Sequence, residues 1–320
     1  MPGAFAHMIA ADLAKTSMEN RRLSFPSLIL NRFPQWLQAG AVGPDYPYLH
    51  HMLTSHDSSD SWADLLHYTR TGDVVRAGAS MLREDFSISK DHSEFQRKAA
   101  WFYGYASHVI LDASIHPVVR AIVGEYEQNK TEHRTCEMFM DAWIYAETYG
   151  VELTNSEWVD YLRSLTDTHT SGMDQPVVKL WESMLEQVYP NEYLVNPPQI
   201  HRWHQSYVEK LDASDINVGF FRHVASEHGL VYVSSNQISA ENRKKYIEDA
   251  LLPTVNQFGK NTMNYGDIFK FGTENVARYW EEITSVIEGA GNPALANLPN
   301  WNLDKGTIDP EGLGDATLWV

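Results

Sequence analysis

A single cysteine, Cys136, stands among 320 residues. One thiol excludes an intrachain disulfide framework and any zinc cluster built on cysteine. Basic residues are also scarce: 25 Lys and Arg face 42 Asp and Glu, for a formal charge of −17. That balance makes nucleic acid an unlikely main partner, and disfavours an anionic membrane surface for the same reason. It leaves room for a small phosphate ester held through metal. No run of 18 residues is free of charged or strongly polar groups, so no transmembrane segment is expected. The first 15 residues lack the basic start and long apolar stretch of a signal peptide, and a cytoplasmic location is expected. There is no internal repeat and no low-complexity tract. What is present is apolar mass. At 43% hydrophobic and 12% aromatic, with 10 Trp and 16 Tyr, the chain can bury a substantial core or line a pocket with large rigid rings.

The chain is organised around residues 101–124, which read WFYGYASHVILDASIHPVVRAIVG. This stretch is core-like, yet it carries His108, Asp112 and His116 at i, i+4 and i+8. On a helix each step of four drifts by only about 40°, so the three groups share one stripe about 12 Å long. Imidazoles and carboxylates are costly to bury unless bonded, paired or metallated. Pro117 is expected to kink or end this helix just beyond the third group. Residues 131–149 repeat the pattern with His133, Glu137 and Asp141, again at i, i+4 and i+8, and Gly150 stops them.

Elsewhere the pattern is also helical. Residues 4–15 form a helix carrying His7, and a second opens at residues 24–26 and runs through 28–37, with Pro34 set to kink or end it. A Gly/Pro loop over 39–48 carries Asp45, and residues 62–69 carry His67. Further helices are expected over 74–83, from 154–157, and over 175–188, 198–211, 216–228, 240–252 and 262–288, with a short strand at 229–235. After Gly289 the chain turns loop-like. The expected fold class is all-α: residues 1–150 form a metal-ligand-bearing helical core, 151–290 complete the same domain, and 291–320 form a tail packed over it.

Eight residues make the candidate ligand set: His7, Asp45, His67, His108, Asp112, His116, His133 and Glu137. These are nitrogen and oxygen donors without thiolate, suited to zinc or another borderline divalent ion. Two ligand-bearing helices packed side by side make a channel of donors, as in the metal sites of helix bundles. His133 and Glu137 can chelate from one face, and Asp112 can bridge two ions. Two metals about 3.5–4 Å apart can hold a hydroxide and clamp a phosphoryl group for in-line displacement. Asp45 and Asp112 are the candidate catalytic carboxylates, with Asp45 a possible general base. Asp141 is expected to stand behind the ligands and orient a ligand His. His50, His51 and His56 read as solvated loop residues, and His201, His204, His223 and His228 as scattered helix-surface positions. The NWNLDKG segment and the final LWV either lid the metal cleft or pack as a structural extension.

The order and spacing of these eight residues resemble the zinc-dependent phospholipase C superfamily, which includes single-strand-specific zinc nucleases and the catalytic domain of glycosylphosphatidylinositol-specific phospholipase D. The resemblance spans residues 1 to about 150 and rests on His7, GAVGPD ending at Asp45, LLHY at His67, SHVILDASIHP with His108, Asp112 and His116, and EHRTCE with His133 and Glu137. It implies a multi-helix phospholipase C-like metallohydrolase domain with two or three Zn2+ ions. By that resemblance Asp45, His67, His108 and Asp112 hold one zinc, His7 and Asp112 a second, and His116, His133 and Glu137 a third. In secreted members a mature N-terminal Trp completes the second site. Here no Trp stands there, so either backbone near Pro2 takes that place or this zinc is weak or absent. The tight spacing along the central motif is closer to the phospholipase D branch. The implied activity is phosphoester hydrolysis, with a zinc-bound hydroxide attacking phosphorus and a phospholipid or smaller phosphodiester as substrate. The alternatives are a nuclease of the same superfamily and a non-hydrolytic metal enzyme or zinc-stabilised binding protein.

Overall fold

The computed structural model describes residues 3–21, 23–51, 59–153, 172–213, 233–255, 259–290, 295, 297–308, 311 and 313–320. In chain order its helices are α1 (Ala4–Asn20), α2 (Ser24–Arg32), α3 (Pro34–Ala41), α4 (Tyr46–His51), α5 (Ser59–Tyr68), α6 (Thr71–Ser89), α7 (Ser93–Val123), α8 (Lys130–Tyr149), α9 (Gln175–Val188), α10 (Pro190–Val195), α11 (Ile200–Ala213), α12 (Ala240–Arg243) and α13 (Tyr265–Ile287). Among the described residues the strands are β1 (Ala250–Leu251) and β2 (Thr262–Met263), paired antiparallel with Ala250 opposite Met263. The fold is all-α, as the sequence pattern predicts.

The central motif lies on α7, the axis of the molecule. Every residue from Ala99 to Val119 is buried, with α1, α2, α3, α6, α8, α9 and α13 packed around it. A helix that is apolar all round belongs in a core. α7 is long and apolar enough to cross a membrane, but 83% of that apolar window is buried inside the fold.

The approach of α3 to α7 depends on two glycines. A Cβ on Gly40 would fall 1.9 Å from the Trp101 carbonyl oxygen, and one on Gly104 would fall 2.1 Å from that of Leu37. With no side chain at either position the two backbones touch. That contact delivers the end of α3, and the Gly43–Asp45 turn after it, against the middle of α7.

Several local expectations are corrected. The helix through 28–37 is two helices, because Phe33 precedes a proline and is held out of the helical region at φ −128°, ψ 52°. Pro34 then starts α3 at a position where its missing N–H costs nothing. The expected loop over 39–48 is largely helical for the same reason: Pro44 and Pro47 sit in the first turns of a 3-10 turn and of α4. The helix expected over 240–252 changes after Arg243 to a π turn over Lys244–Glu248 and then to β1, with Pro253 just beyond. α13 begins at Tyr265 rather than in β2, where the Asn264 side chain accepts from the Gly266 N–H at 2.8 Å. The expected helices at 154–157 and 216–228 and most of the strand at 229–235 lie outside the described residues.

Pro117 does not end α7, which continues to Val123. A proline there removes the N–H that would bond the Ala113 carbonyl. The C-terminal segment packs into this place. Gly306 lies against the Ala113 carbonyl and the Pro117 ring, so close that a Cβ would fall 2.6 Å from both. Trp319 donates its indole N–H to the Ser114 carbonyl at 2.7 Å. The tail is therefore laid along α7 beside the motif.

Candidate metal centre

All eight candidate ligands are buried, and the fold brings them together. α7 supplies His108, Asp112 and His116, α8 supplies His133 and Glu137, α1 supplies His7, α5 supplies His67, and the 3-10 turn supplies Asp45. Three groups form, each with its donor atoms within 4.8 Å of one another: Asp45, His67 and His108; His7, His108 and Asp112; His116, His133 and Glu137.

Asp112 joins the groups. Its Oδ2 lies 3.2 Å from His108 Nε2, while its Oδ1 lies 3.1 Å from His7 Nε2 and 3.7 Å from His116 Nε2. Asp45 Oδ1 lies 3.2 Å from His67 Nε2 and 3.7 Å from His108 Nε2. Glu137 Oε1 lies 2.9 Å from His133 Nε2 and 3.8 Å from His116 Nε2. The His7 and His108 rings stack with centroids 3.9 Å apart.

Two readings compete for such a cluster: a polar network closed on itself, or a cation cage. A closed network would satisfy its own atoms. Here His7 Nε2, His108 Nε2, both Asp112 oxygens, His116 Nε2 and His133 Nε2 are buried without a hydrogen-bond partner. The short contacts among them therefore bring atoms close without hydrogen-bond geometry. Donors bound at about 2.0–2.1 Å to a tetrahedral ion stand about 3.3 Å apart, which is the scale of the separations observed.

Three of the five outer nitrogens point the same way. His67 Nδ1 donates to the Ala63 carbonyl at 2.8 Å, His108 Nδ1 to that of Ala41 at 2.9 Å, and His116 Nδ1 to that of Leu303 at 3.0 Å. A carbonyl only accepts, so each Nδ1 carries a proton and each Nε2 is the nitrogen turned toward the cluster. This is the arrangement a ligating imidazole needs. The residues present fit a centre of borderline divalent ions.

Electrostatics divide the centre. Burial pushes His108 down, but the Asp112 and Asp45 carboxylates outweigh it and hold the ring up at about 9. Burial lowers His116 to about 3. Burial likewise lowers His7, with His108 adding to the effect. Asp112 is held well below the carboxylate range by the imidazoles of His116, His108 and His7, against the effect of burial.

Asp141 takes a different place from the one expected. Its Oδ1 accepts the Ala6 N–H at 3.0 Å, capping the first turn of α1 from a neighbouring helix. It bears on His7 through the backbone one residue away rather than through an imidazole nitrogen. Gly3 makes room for it, since a Cβ there would fall 1.8 Å from Asp141 Oδ2.

His50 and His204 are corrected from surface to interior. Both are buried where α4 meets α11: His50 Nδ1 lies 2.7 Å from Ser206 Oγ, and His204 Nδ1 lies 3.3 Å from the Tyr46 hydroxyl. His201 accepts from the Met173 N–H, and it lines a cleft of about 330 Å3 with Glu182 and Pro198 that contains none of the eight ligands. His56, His223 and His228 lie outside the described residues.

Two features of the site were not singled out as individual residues by the sequence. Leu303 supplies a backbone carbonyl, and any residue type can do that. Asp304 places Oδ1 3.5 Å from His116 Nδ1 and accepts the Tyr68 hydroxyl at 3.0 Å, at the half-exposed edge of the centre. Both lie in the NWNLDKG segment, read from the sequence as either a lid of the metal cleft or a structural extension, with Leu303 187 residues from His116.

No curated protein and no solved structure matches the chain. The sequence model for zinc dependent phospholipase C matches residues 1–192, which include every ligand of the cluster and more than half of the chain. With its motifs folded into three contiguous donor groups on an all-α frame, the chain belongs to the zinc-dependent phospholipase C family.

Proposed function

We propose that the chain is a hydrolase of phosphoesters working at a centre of two or three zinc ions, with a phospholipid or a smaller phosphodiester as substrate. The observation that carries this reading is the convergence of buried imidazole and carboxylate donors on three adjoining points, with four Nε2 atoms and both Asp112 oxygens left without a hydrogen bond. When bound, zinc supplies Lewis-acid polarisation of the phosphoryl oxygens and makes water acidic enough to attack near neutral pH.

The chain's own residues divide the remaining work. Asp45, His67, His108 and Asp112 would hold one ion, His7 and Asp112 a second, and His116, His133 and Glu137 a third. Asp112 spans the groups with both of its oxygens and would hold metal rather than act as a base. Asp45 turns Oδ1 to His67 and His108. Its Oδ2 is the atom we assign to take the proton from the attacking water. The carbonyls of Ala41, Ala63 and Leu303 keep three imidazoles oriented, so that no reorganisation is needed when substrate arrives. The net charge of −17 argues against a nucleic-acid substrate.

The test is hydrolysis of a chromogenic phosphocholine ester by zinc-loaded protein. Turnover should be abolished by chelation, restored by zinc and lost in Asp112→Asn. Full metal loading with no turnover of any phosphoester would contradict the reading, and turnover confined to single-stranded nucleic acid would transfer it to a nuclease.

A further inference from the structure

The family match ends at residue 192, yet part of the metal centre's support comes from more than 100 residues later. Residues 302–307 form a tight turn. Asn302 and Thr307 make an antiparallel bridge, the Asn302 N–H donates to the Thr307 carbonyl at 2.8 Å, and the Gly306 N–H returns to the Asn302 carbonyl at 2.8 Å. Gly306 closes the turn with φ +64°, a conformation that favours glycine. Leu303, at the start of the turn, directs both of its peptide groups into the centre. Its N–H donates to the His67 carbonyl at 2.7 Å, and its carbonyl accepts from His116 Nδ1 at 3.0 Å. One residue thus bonds the helix that carries a ligand of the Asp45 group and the ring of a ligand in the Glu137 group. Trp301 and Leu303 are fully buried, and the Thr71 hydroxyl donates to the Trp301 carbonyl at 2.9 Å, so the turn is anchored rather than draped.

We propose that this C-terminal turn is a built-in clamp of the metal centre, in which the Leu303 peptide positions His116 for its ion and ties the two outer donor groups to each other. The proposal rests on the reading that divalent ions fill those groups. His116 is a ligand here, while Leu303 is a positioning residue: it touches no reacting atom and acts by fixing which ring nitrogen carries the proton. Loss of such an outer partner weakens a metal site by about 10–100-fold. The effect should be confined to the His116, His133 and Glu137 group, because the other oriented imidazoles lean on Ala41 and Ala63.

Gly306→Val tests this, since a side chain there meets the Ala113 carbonyl and the Pro117 ring at 2.6 Å and must lift the turn off α7. Zinc content of the wild-type protein and its release to a colorimetric chelator are measured first, because a wild-type protein that binds no zinc would sink the metal reading itself together with the clamp. In Gly306→Val one class of bound zinc should leave about tenfold faster or more, while the rest keeps the wild-type rate. The same change placed on His133→Ala, where that class is already absent, should add little. If Gly306→Val does not fold, hydrogen exchange of the wild-type protein decides. Amides in residues 302–306 should gain protection on zinc loading. Zinc-loaded wild-type protein with unchanged exchange in this turn, or a folded Gly306→Val that releases all its zinc at the wild-type rate, would overturn the clamp and leave the metal reading standing.

Discussion

His108 and His116 are the same residue type on the same stripe of one helix, both fully buried, yet their surroundings drive them in opposite directions. At His108 the carboxylates of Asp112 and Asp45 overcome burial and hold the ring protonated up to about 9. At His116 burial wins and the ring stays neutral down to about 3. Their outer partners differ as well. His108 is oriented by Ala41, on a helix inside the family-matched region, and His116 by Leu303, far outside it. The periodicity of α7 sets where the ligands stand, and the elements packed on α7 set what each ligand does. One end of the centre is built from residues within the family match, and the other borrows its outer shell from the chain's own tail.

The largest expected effect removes the comparison altogether. Asp112 links both ends, so Asp112→Asn should weaken zinc binding throughout the centre by more than about a hundredfold, beyond what loss of an outer partner costs. Metal analysis after dialysis reads this directly. A variant that keeps the full metal complement would show that the ends are independent.

Next, Gly104→Ala should break the His108 end alone. Its methyl group would collide with the Leu37 carbonyl at 2.1 Å and push α3, with the Ala41 carbonyl, away from His108. A cost of about 1–3 kcal/mol is expected from such overpacking, read as a lower thermal midpoint. Zinc held by His116, His133 and Glu137 should be retained.

Proton release sharpens the contrast. Zinc must displace a proton from His108 below about 9 but finds His116 already neutral. Between pH 6 and 9, binding at the His108 end should strengthen by about tenfold per unit, with binding at the other end much flatter. Calorimetric titration in buffers of different ionisation enthalpy measures this. The stability of the metal-free protein follows the same shifts, starting from the ordinary value of 6.5. The His116 contribution is present above 6.5 and lost as pH falls toward 3. The His108 contribution is present below 6.5 and lost as pH rises toward 9. Metal-free protein should therefore lose stability on both sides, and a flat profile would contradict the assignment.

The smallest effect concerns α1. Asp141→Ala removes the acceptor that caps the Ala6 N–H and should cost about 1 kcal/mol, with zinc lost first from the site of His7. Equal loss from all sites would show that Asp141 supports the centre as a whole.

Much of this centre was legible in the sequence because helical spacing is rigid. Once His108, Asp112 and His116 stand four apart, and His133 and Glu137 likewise, the geometry of each stripe is nearly settled. What escaped has no residue signature. Any side chain can stand behind a backbone carbonyl, so Ala41, Ala63 and Leu303 could not be picked out. The Gly40 and Gly104 contact is a property of a pair, and neither glycine announces it alone. Pro117 reads locally as a helix breaker, and only the tail lying beside the Ala113 carbonyl shows how α7 accommodates it. His50 and His204 read as surface because their cover comes from α4 meeting α11, a contact between distant parts of the chain.

The most direct measurement is anomalous diffraction at the zinc edge from crystals of the zinc-loaded protein. Peaks should stand within bonding distance of Nε2 of His67, His108, His116 and His133, with Asp112 between them. Loaded crystals with no peak among these residues, or with zinc only at surface carboxylates, would contradict a metal centre on α7 and α8.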